Sequence, residues 1–393
     1  MSRLRQSCPV CGGAALLPCL DRASVPVFQN ALYPGETLAR NAATGQLAIR
    51  FCRACGFGFN AAFEPELVAY GADYENDQTM SGVFSAHVDG MAGKVLSALN
   101  GKPHPIVLEV GCGQGYFLER LANLAPSPLG AAIGFDPSFR GEARPPLKIQ
   151  ARYFDRAAAE EIQANIDAIA SRHVIEHVTE PVAFLKAVRA ALPDDSDVEL
   201  FIETPCVEWI LTGSVIQDFF YEHCSYFTAD TLALCLRRAG FGVAAVEHVF
   251  SGQYLWAKAY PDSAVSQDPP RDLPQLPLAE RFAARSTGVA QRWRTSLERM
   301  AAAGGKVALW GAAAKGVTFA SIVDPDHSVI DCLIDVNPKK QGNFAPITAH
   351  PIVAPEAAAR RGVRTAIIMN PNYRAEIVAT ARDRMLPFSL LDG

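Results

Sequence analysis

The stretch Ile106-Val-Leu-Glu-Val-Gly-Cys-Gly-Gln-Gly115 leaves the chain few folding choices. Apolar positions run up to Glu109, three glycines follow at alternate positions, and Tyr116-Phe-Leu-Glu-Arg-Leu-Ala-Asn-Leu has the spacing of an amphipathic helix. That is a buried parallel strand, a tight turn, and a helix folded back on the strand. Gly111, Gly113 and Gly115 carry no Cβ, so the backbone can turn sharply and a ligand can come close. Twenty-one residues after Gly115, the apolar run Ala131-Ala-Ile-Gly-Phe ends in Asp136, which predicts a second strand with an acid at its tip. An acid so placed can accept both hydroxyls of a ribose.

The glycine spacing is G-x-G-x-G, with Glu109 two residues before the first glycine. A carboxylate there repels a pyrophosphate but suits a ligand that carries an ammonium group. The two stretches resemble the first two motifs of the class I methyltransferases, whose cofactor S-adenosylmethionine has an amino acid head, a sulfonium and a ribose. The resemblance implies that Glu109, Gly111, Gly113, Gly115, Asp136 and Pro137 hold that cofactor; the later string His173-Val-Ile-Glu-His-Val resembles the same enzymes' fourth motif, which implies that His173 packs around it. A Rossmann-like turn that binds another ligand, or none, is the alternative.

At 393 residues the chain exceeds one ordinary core, so two or three domains are expected. The net charge of −5 gives no overall attraction to nucleic acid. No apolar run approaches the length of a membrane span, and the N-terminus has no apolar signal core, so a soluble cytoplasmic protein is expected. In that setting paired cysteines point to metal rather than to disulfides. Cys8-Pro-Val-Cys11-Gly and Cys52-Arg-Ala-Cys55-Gly are two such pairs, each with a glycine after its second cysteine. Four thiolates suit a closed tetrahedral Zn²⁺ site, here spanning an insertion of 40 residues. Zinc knuckles also hold RNA, but residues 1–70 contain six dispersed arginines and no lysine, which disfavours that use.

Beyond the glycine turn, Ile166-Asp-Ala-Ile-Ala-Ser-Arg predicts a strand whose carboxyl end carries Arg172, His173, Glu176 and His177. Val198 to Pro205 predicts the next strand. Asp218-Phe-Phe-Tyr-Glu-His-Cys-Ser-Tyr-Phe-Thr228 follows, with a histidine flanked by a carboxylate and tyrosines. Imidazole titrates near neutrality, a carboxylate can orient it, and a phenol can donate to a developing oxyanion. The same composition also fits a polar turn into the helix starting near Thr228. Upstream, Tyr74 and Gln78 lie in a polar, aromatic stretch that can either fold over the site or form a surface loop.

Pro261 to Pro277 has a linker composition, and a helix is expected from about Leu278 to Ala303. Lys306-Val-Ala-Leu-Trp310, the turn Gly311-Ala-Ala-Ala-Lys-Gly316 and a helix from Val317 predict a second βαβ unit, with further strands at Val329–Asp335 and Thr365–Met369. A helix N-terminus near Lys315 can hold an anion, or the unit can be a stabilising appendage. The domains expected are residues 1–70, 71–265 and 266–393.

Cysteine pairs, Glu109-Val-Gly-Cys-Gly-Gln-Gly, Tyr221-Glu-His-Cys-Ser-Tyr-Phe, Gly311-Ala-Ala-Ala-Lys-Gly, Asp335-Val-Asn-Pro-Lys-Lys-Gln-Gly and Pro371-Asn-Tyr occur in that order. The series is similar to the three-domain C-methyltransferases, whose best-known members act on nucleotide-linked keto-deoxysugars of antibiotics. The resemblance implies an α/β protein: a class I methyltransferase Rossmann-like sheet, an N-terminal zinc-binding domain and a C-terminal Rossmann-like substrate domain. It implies His223 as the base that removes a proton beside a ketone, with Tyr221 and Glu222 shaping or polarising the site and Tyr74 on the lid. It places Lys315, Tyr226 and Asn372 on the substrate side and makes the partner a small molecule, a nucleotide sugar. Ser251-Gly-Gln-Tyr254 and Arg172-His-Val-Ile-Glu-His depart from the sugar enzymes' usual strings. These departures keep open an O- or N-methyltransferase of a non-sugar metabolite; a non-catalytic zinc-containing binding protein is the third reading.

Overall fold

The computed structural model describes residues 4–68, 78–162, 166–193 and 196–393. Its largest sheet has seven strands in the order Phe241–Val249, Tyr254–Pro261, Glu199–Pro205, Ala168–Arg172, Ile106–Val110, Ala131–Phe135 and Leu147–Gln150. Ile106–Val110 is central because helices cover both faces of the sheet, and its apolar run is what a doubly covered parallel strand requires. It pairs in parallel with Ala131–Phe135 on one side and Ala168–Arg172 on the other. Tyr254–Pro261 is antiparallel to both of its neighbours. The chain therefore winds outward from the glycine turn on one side and resumes on the other. The resulting switch point opens a crevice at the carboxyl ends of Ile106–Val110 and Ala168–Arg172. This is the Rossmann-like sheet expected.

The N-terminal sheet joins Leu16–Pro26, Thr44–Cys52 and Gly58–Asn60, all antiparallel. Its fourth strand is Ser225–Tyr226, from far along the chain, paired through Gly58↔Tyr226 and Phe59↔Ser225. Apolar packing fixes the junction, with Phe57 and Phe227 edge to face at 5.3 Å. The backbone of Cys224 is tied on both sides, since Asn60 N donates to its carbonyl and its own N donates to Glu176 O. The histidine loop thus hangs between two sheets.

The C-terminal sheet is parallel, in the order Ile352–Val353, Ile330–Ile334, Lys306–Trp310, Val363–Ile368, Ser389–Asp392. The helix expected near Leu278 begins earlier and spans Gln275–Ala302. Pro277 sits in its first turn, where a missing N–H costs nothing. Its Phe282 packs at 5.1 Å on Phe219, next to the histidine loop. Further ties hold the C-terminal unit to the rest: Phe344 N donates to Tyr33 O, and Ser81 Oγ donates to Glu376 at 2.6 Å.

Candidate active site

At the cofactor end, the turn closes as its sequence suggests. Gly111 has φ +77°, and a Cβ there would lie 2.1 Å from Val174 Cγ2, so no other residue fits. Asp136 accepts Gly113 N at 2.8 Å through one oxygen and Ser138 N at 2.7 Å through the other. Pro137 follows, exposed in the next turn. Glu109 is 2% exposed, and its Oε2 has no hydrogen-bond partner among the described residues. Burial pushes this carboxyl up to about 8, opposed by Arg172 and reinforced by Asp136 and Glu203. A buried carboxyl oxygen without a partner, with a second acid at the tip of the neighbouring strand, fits a ligand with an ammonium and a ribose, as S-adenosylmethionine has. Behind it, fully buried Glu203 accepts Arg172 Nε at 2.6 Å and His87 Nε2 at 2.5 Å. Burial alone would raise that carboxyl, but Arg172 and His87 hold it down to about 2.

A cavity of ≈ 310 Å³ opens beside this end, walled by all three sheets' loops. The seven-stranded sheet contributes His173, Glu176 and His177, and the histidine loop contributes Phe220, Glu222 and His223. Glu176 accepts His173 Nδ1 at 3.3 Å and Thr204 Oγ1 at 3.0 Å. The His173 bond and the charges of the neighbouring His177 and His223 imidazoles hold its carboxyl down to about 2 against the effect of burial. His177 donates from Nδ1 to Glu222 O at 2.9 Å, and its ring meets that of His223 edge-on at 4.9 Å. Polar atoms of Glu176, His177 and His223 all lie within 4.8 Å of one another. Burial, with His177 adding, pushes the His223 imidazole down to about 3, and Glu176 opposes this. His223 is therefore neutral, able to accept a proton, and next to a carboxylate that stabilises the cation it would become. Glu222 is anchored by Gln29 N at 3.2 Å.

The opposite wall repeats the cofactor turn. Gly311 N donates to Ile334 O, Ala312 N to Asp335 Oδ2 at 3.1 Å, and Asn337 N to Asp335 Oδ1 at 2.9 Å. These match Gly111 N to Phe135 O and the two bonds of Asp136. A Cβ on Gly316 would lie 1.9 Å from Gly311 O, so this position in the first turn of helix Ala314–Val323 takes only glycine. Buried Lys340 donates from Nζ to Asn30 Oδ1 at 3.1 Å and to Ala312 O at 3.2 Å.

Several sequence candidates fall elsewhere. Tyr221 is fully buried and turned away from the cavity. Its hydroxyl accepts Glu64 N at 2.9 Å, and its ring fills the space that Gly45 leaves by having no side chain. Phe220 faces the cavity instead, so of the two roles expected of Tyr221, shaping or polarising the site, its position is at odds with polarising. Tyr226 also lies behind the loop, donating to Phe220 O at 3.2 Å, so it supports the wall rather than lining it. Lys315 does line the cavity, but it pairs with Asp218 and lies 5.0 Å over Trp209, so its charge is already matched. Asn372 donates to Phe250 O, and its neighbour Asn370 lines the cavity in its place. Gln78 lines the cavity and accepts the Tyr373 hydroxyl. Tyr74 lies outside the described residues.

Far from the cavity, the sulfurs of Cys8, Cys11, Cys52 and Cys55 all lie within 4.8 Å of one another. Cys8 and Cys55 are 3.7 Å apart and Cys11 and Cys52 3.4 Å, with no disulfide. Thiolates on one tetrahedral Zn²⁺ stand about 3.8 Å apart, so the set could hold that ion. Val10 N and Gly13 N point at Cys8 and Cys11 sulfurs, the backbone support such knuckles need. No helix among the described residues is long and apolar enough to cross a membrane.

The order of domains agrees with two family matches. Residues 86–246 match a family described as methyltransferase domain, and residues 262–385 match the C-methyltransferase C-terminal domain. The C-methyltransferase NovU of Streptomyces niveus is 24% identical over 402 residues, spanning 96% of this chain and 92% of that protein. A ubiquinone biosynthesis O-methyltransferase of Ruegeria sp. (strain TM1040) is 25% identical over 177 residues, 41% of this chain and 69% of its own. Among solved structures, the N,N-8-amino-8-demethyl-D-riboflavin dimethyltransferase of Streptomyces davawensis is 17% identical. It aligns with a TM-score of 0.32 over 45% of this chain and 57% of that one. The chain thus carries a methyltransferase domain followed by a C-methyltransferase C-terminal domain, and it is an S-adenosylmethionine-dependent methyltransferase.

Proposed function

We propose that this enzyme methylates a carbon beside the ketone of a nucleotide-linked deoxysugar. The observation that carries the reading is the single cavity shared by His223 and a second ribose-type cradle on the C-terminal sheet. In this reading Asp335 accepts the ribose hydroxyls of the acceptor's nucleotide. Buried Lys340 and the N-terminus of helix Ala314–Val323 attract its phosphates. The sugar then projects toward His223 and Glu222. His223 takes the proton from the carbon next to the ketone, leaving an enolate whose carbon is the nucleophile. Glu176 stabilises the resulting imidazolium, and Glu222, held by the Gln29 backbone, shapes the wall. S-adenosylmethionine, held by the Glu109–Gly115 turn and Asp136, supplies a methyl group made electrophilic by its sulfonium. The four cysteines hold a structural Zn²⁺ that keeps the N-terminal sheet, and with it the histidine loop, in place. The enzyme is expected to work in the cytoplasm without nucleic acid or membrane partners.

Candidate keto sugars incubated in D₂O without the methyl donor test the mechanism. Deuterium should enter beside the ketone with the wild type and not with His223→Ala. Exchange that survives in His223→Ala excludes His223 as the base. A second reading, oxygen methylation of another small metabolite, draws support from the likeness to ubiquinone biosynthesis O-methyltransferases and from Phe220 facing the cavity where a phenol was expected. Methyl transfer to an acceptor that shows no deuterium exchange would favour it.

A further inference from the structure

We propose that Arg172 binds the carboxylate of the cofactor's methionyl end, so that Arg172 and Glu109 together form a two-charge cradle for its amino acid head. The register places the two residues. Glu109 pairs with Ala170 across the parallel ladder, so Arg172, two residues on, stands on the same face and one pleat nearer the carboxyl edge. The Arg172 side chain is 8% exposed and lies over the Phe117 ring, with Cζ 4.6 Å from its centre, at the start of the glycine-turn helix.

Its role as a partner of Glu203 does not account for its geometry. A guanidinium that only neutralised a carboxylate would use its fork, two parallel N–H groups on two oxygens. Here Nε alone reaches Glu203, whose other oxygen is taken by His87. Nη2 is buried with no hydrogen-bond partner among the described residues, and the same is true of Glu109 Oε2. One orphaned cationic donor and one orphaned carboxyl oxygen, which becomes anionic when an ammonium is set against it, thus share a face at the crevice where the cofactor belongs. A free amino acid head carries the complementary pair, one carboxylate and one ammonium. Leaving such groups unpaired is costly, and a zwitterion satisfies both at once. The assignment holds whichever acceptor the enzyme uses.

Calorimetry of cofactor binding to the purified zinc-containing protein tests it, with S-adenosylmethionine and decarboxylated S-adenosylmethionine as probes. The second probe keeps the ammonium, sulfonium and ribose and lacks only the carboxylate. Wild type should prefer the intact cofactor by about tenfold to a hundredfold, the range for a charged hydrogen bond. In Arg172→Met the preference should shrink to within about threefold, the scatter of such cycles. In Glu109→Gln both probes should weaken together and the preference should remain. Equal binding of the two probes by wild type overturns the proposal without any variant, as does a preference that survives Arg172→Met. Because Arg172→Met strands the Glu203 charge, Arg172→Met/Glu203→Gln serves as the folded counterpart. It too should lose the preference.

Discussion

A carboxyl group that burial raises to about 8 is a proton store as much as a binding group. In the cofactor-free enzyme at pH 7, Glu109 is mostly protonated. Its folded value lies above the unfolded one, near 4.5, so its contribution to stability is fully present below about pH 4.5. It is lost as pH rises through about 8. An ammonium group set against it lowers that value, so cofactor binding at pH 7 should expel close to one proton. Calorimetry in two buffers of different ionisation enthalpy should show this release with wild type and none with Glu109→Gln; equal release in both would remove Glu109 from the cradle. Glu109 was legible because spacing alone ties it to the glycines. Tyr221 was not, because neighbouring residues in an irregular loop follow no period and packing decides which one faces the cavity. The missing side chain at Gly45 makes the slot that takes the Tyr221 ring, and nothing in the local string announces it. The matching of Lys315 by Asp218 was equally hidden, since the partners lie 97 residues apart in sequence.

At the scale of elements, the strand Ser225–Tyr226 is what links the four-cysteine cluster to the histidine loop. It belongs by sequence to the middle segment and by pairing to the N-terminal sheet, where it extends the edge strand Gly58–Asn60 a few residues from Cys55. The cysteine pairs, the Rossmann-like strands and the C-terminal βαβ unit could be read from local pattern. A two-residue strand completing another domain's sheet could not, because it has too few residues to show alternation. Its consequence is that the four-thiolate site should govern the rate more than cofactor affinity. Cys52→Ser should release the zinc and free the Cys224 backbone from Asn60. A displacement of about 1 Å at His223 would slow turnover about a hundredfold. Cofactor affinity, which depends on a turn held by a different sheet, should stay within about twofold. Metal analysis, turnover and calorimetry on the same preparation measure all three. Absence of zinc in the wild type, or zinc retained by Cys52→Ser, would reject the site.

Across the whole molecule, two strand–turn–helix units of the same hydrogen-bonding scheme face a common cavity from different sheets. Both glycine turns were visible in the sequence, but not their opposition, which depends on contacts such as Ser81 with Glu376 and Tyr33 with Phe344 that join residues hundreds of positions apart. On the proposed reading, methyl donor and acceptor are anchored on separate sheets, so their binding should be open to independent damage. Asp335→Ala removes the acceptor-side acid and also the partner of Ala312 N, so binding of a nucleoside diphosphate should weaken about tenfold to a hundredfold. Gly316→Ala should do the same by a different route, since its new methyl group cannot coexist with Gly311 O at 1.9 Å. Neither change touches the strand Ile106–Val110, and cofactor affinity should be unaltered in both. Competition by thymidine and guanosine diphosphates, measured beside cofactor binding, reads the two sites apart. If Asp335→Ala leaves nucleotide affinity intact, the C-terminal cradle is not the nucleotide's seat, and the cavity would have to take its acceptor by the sugar end alone.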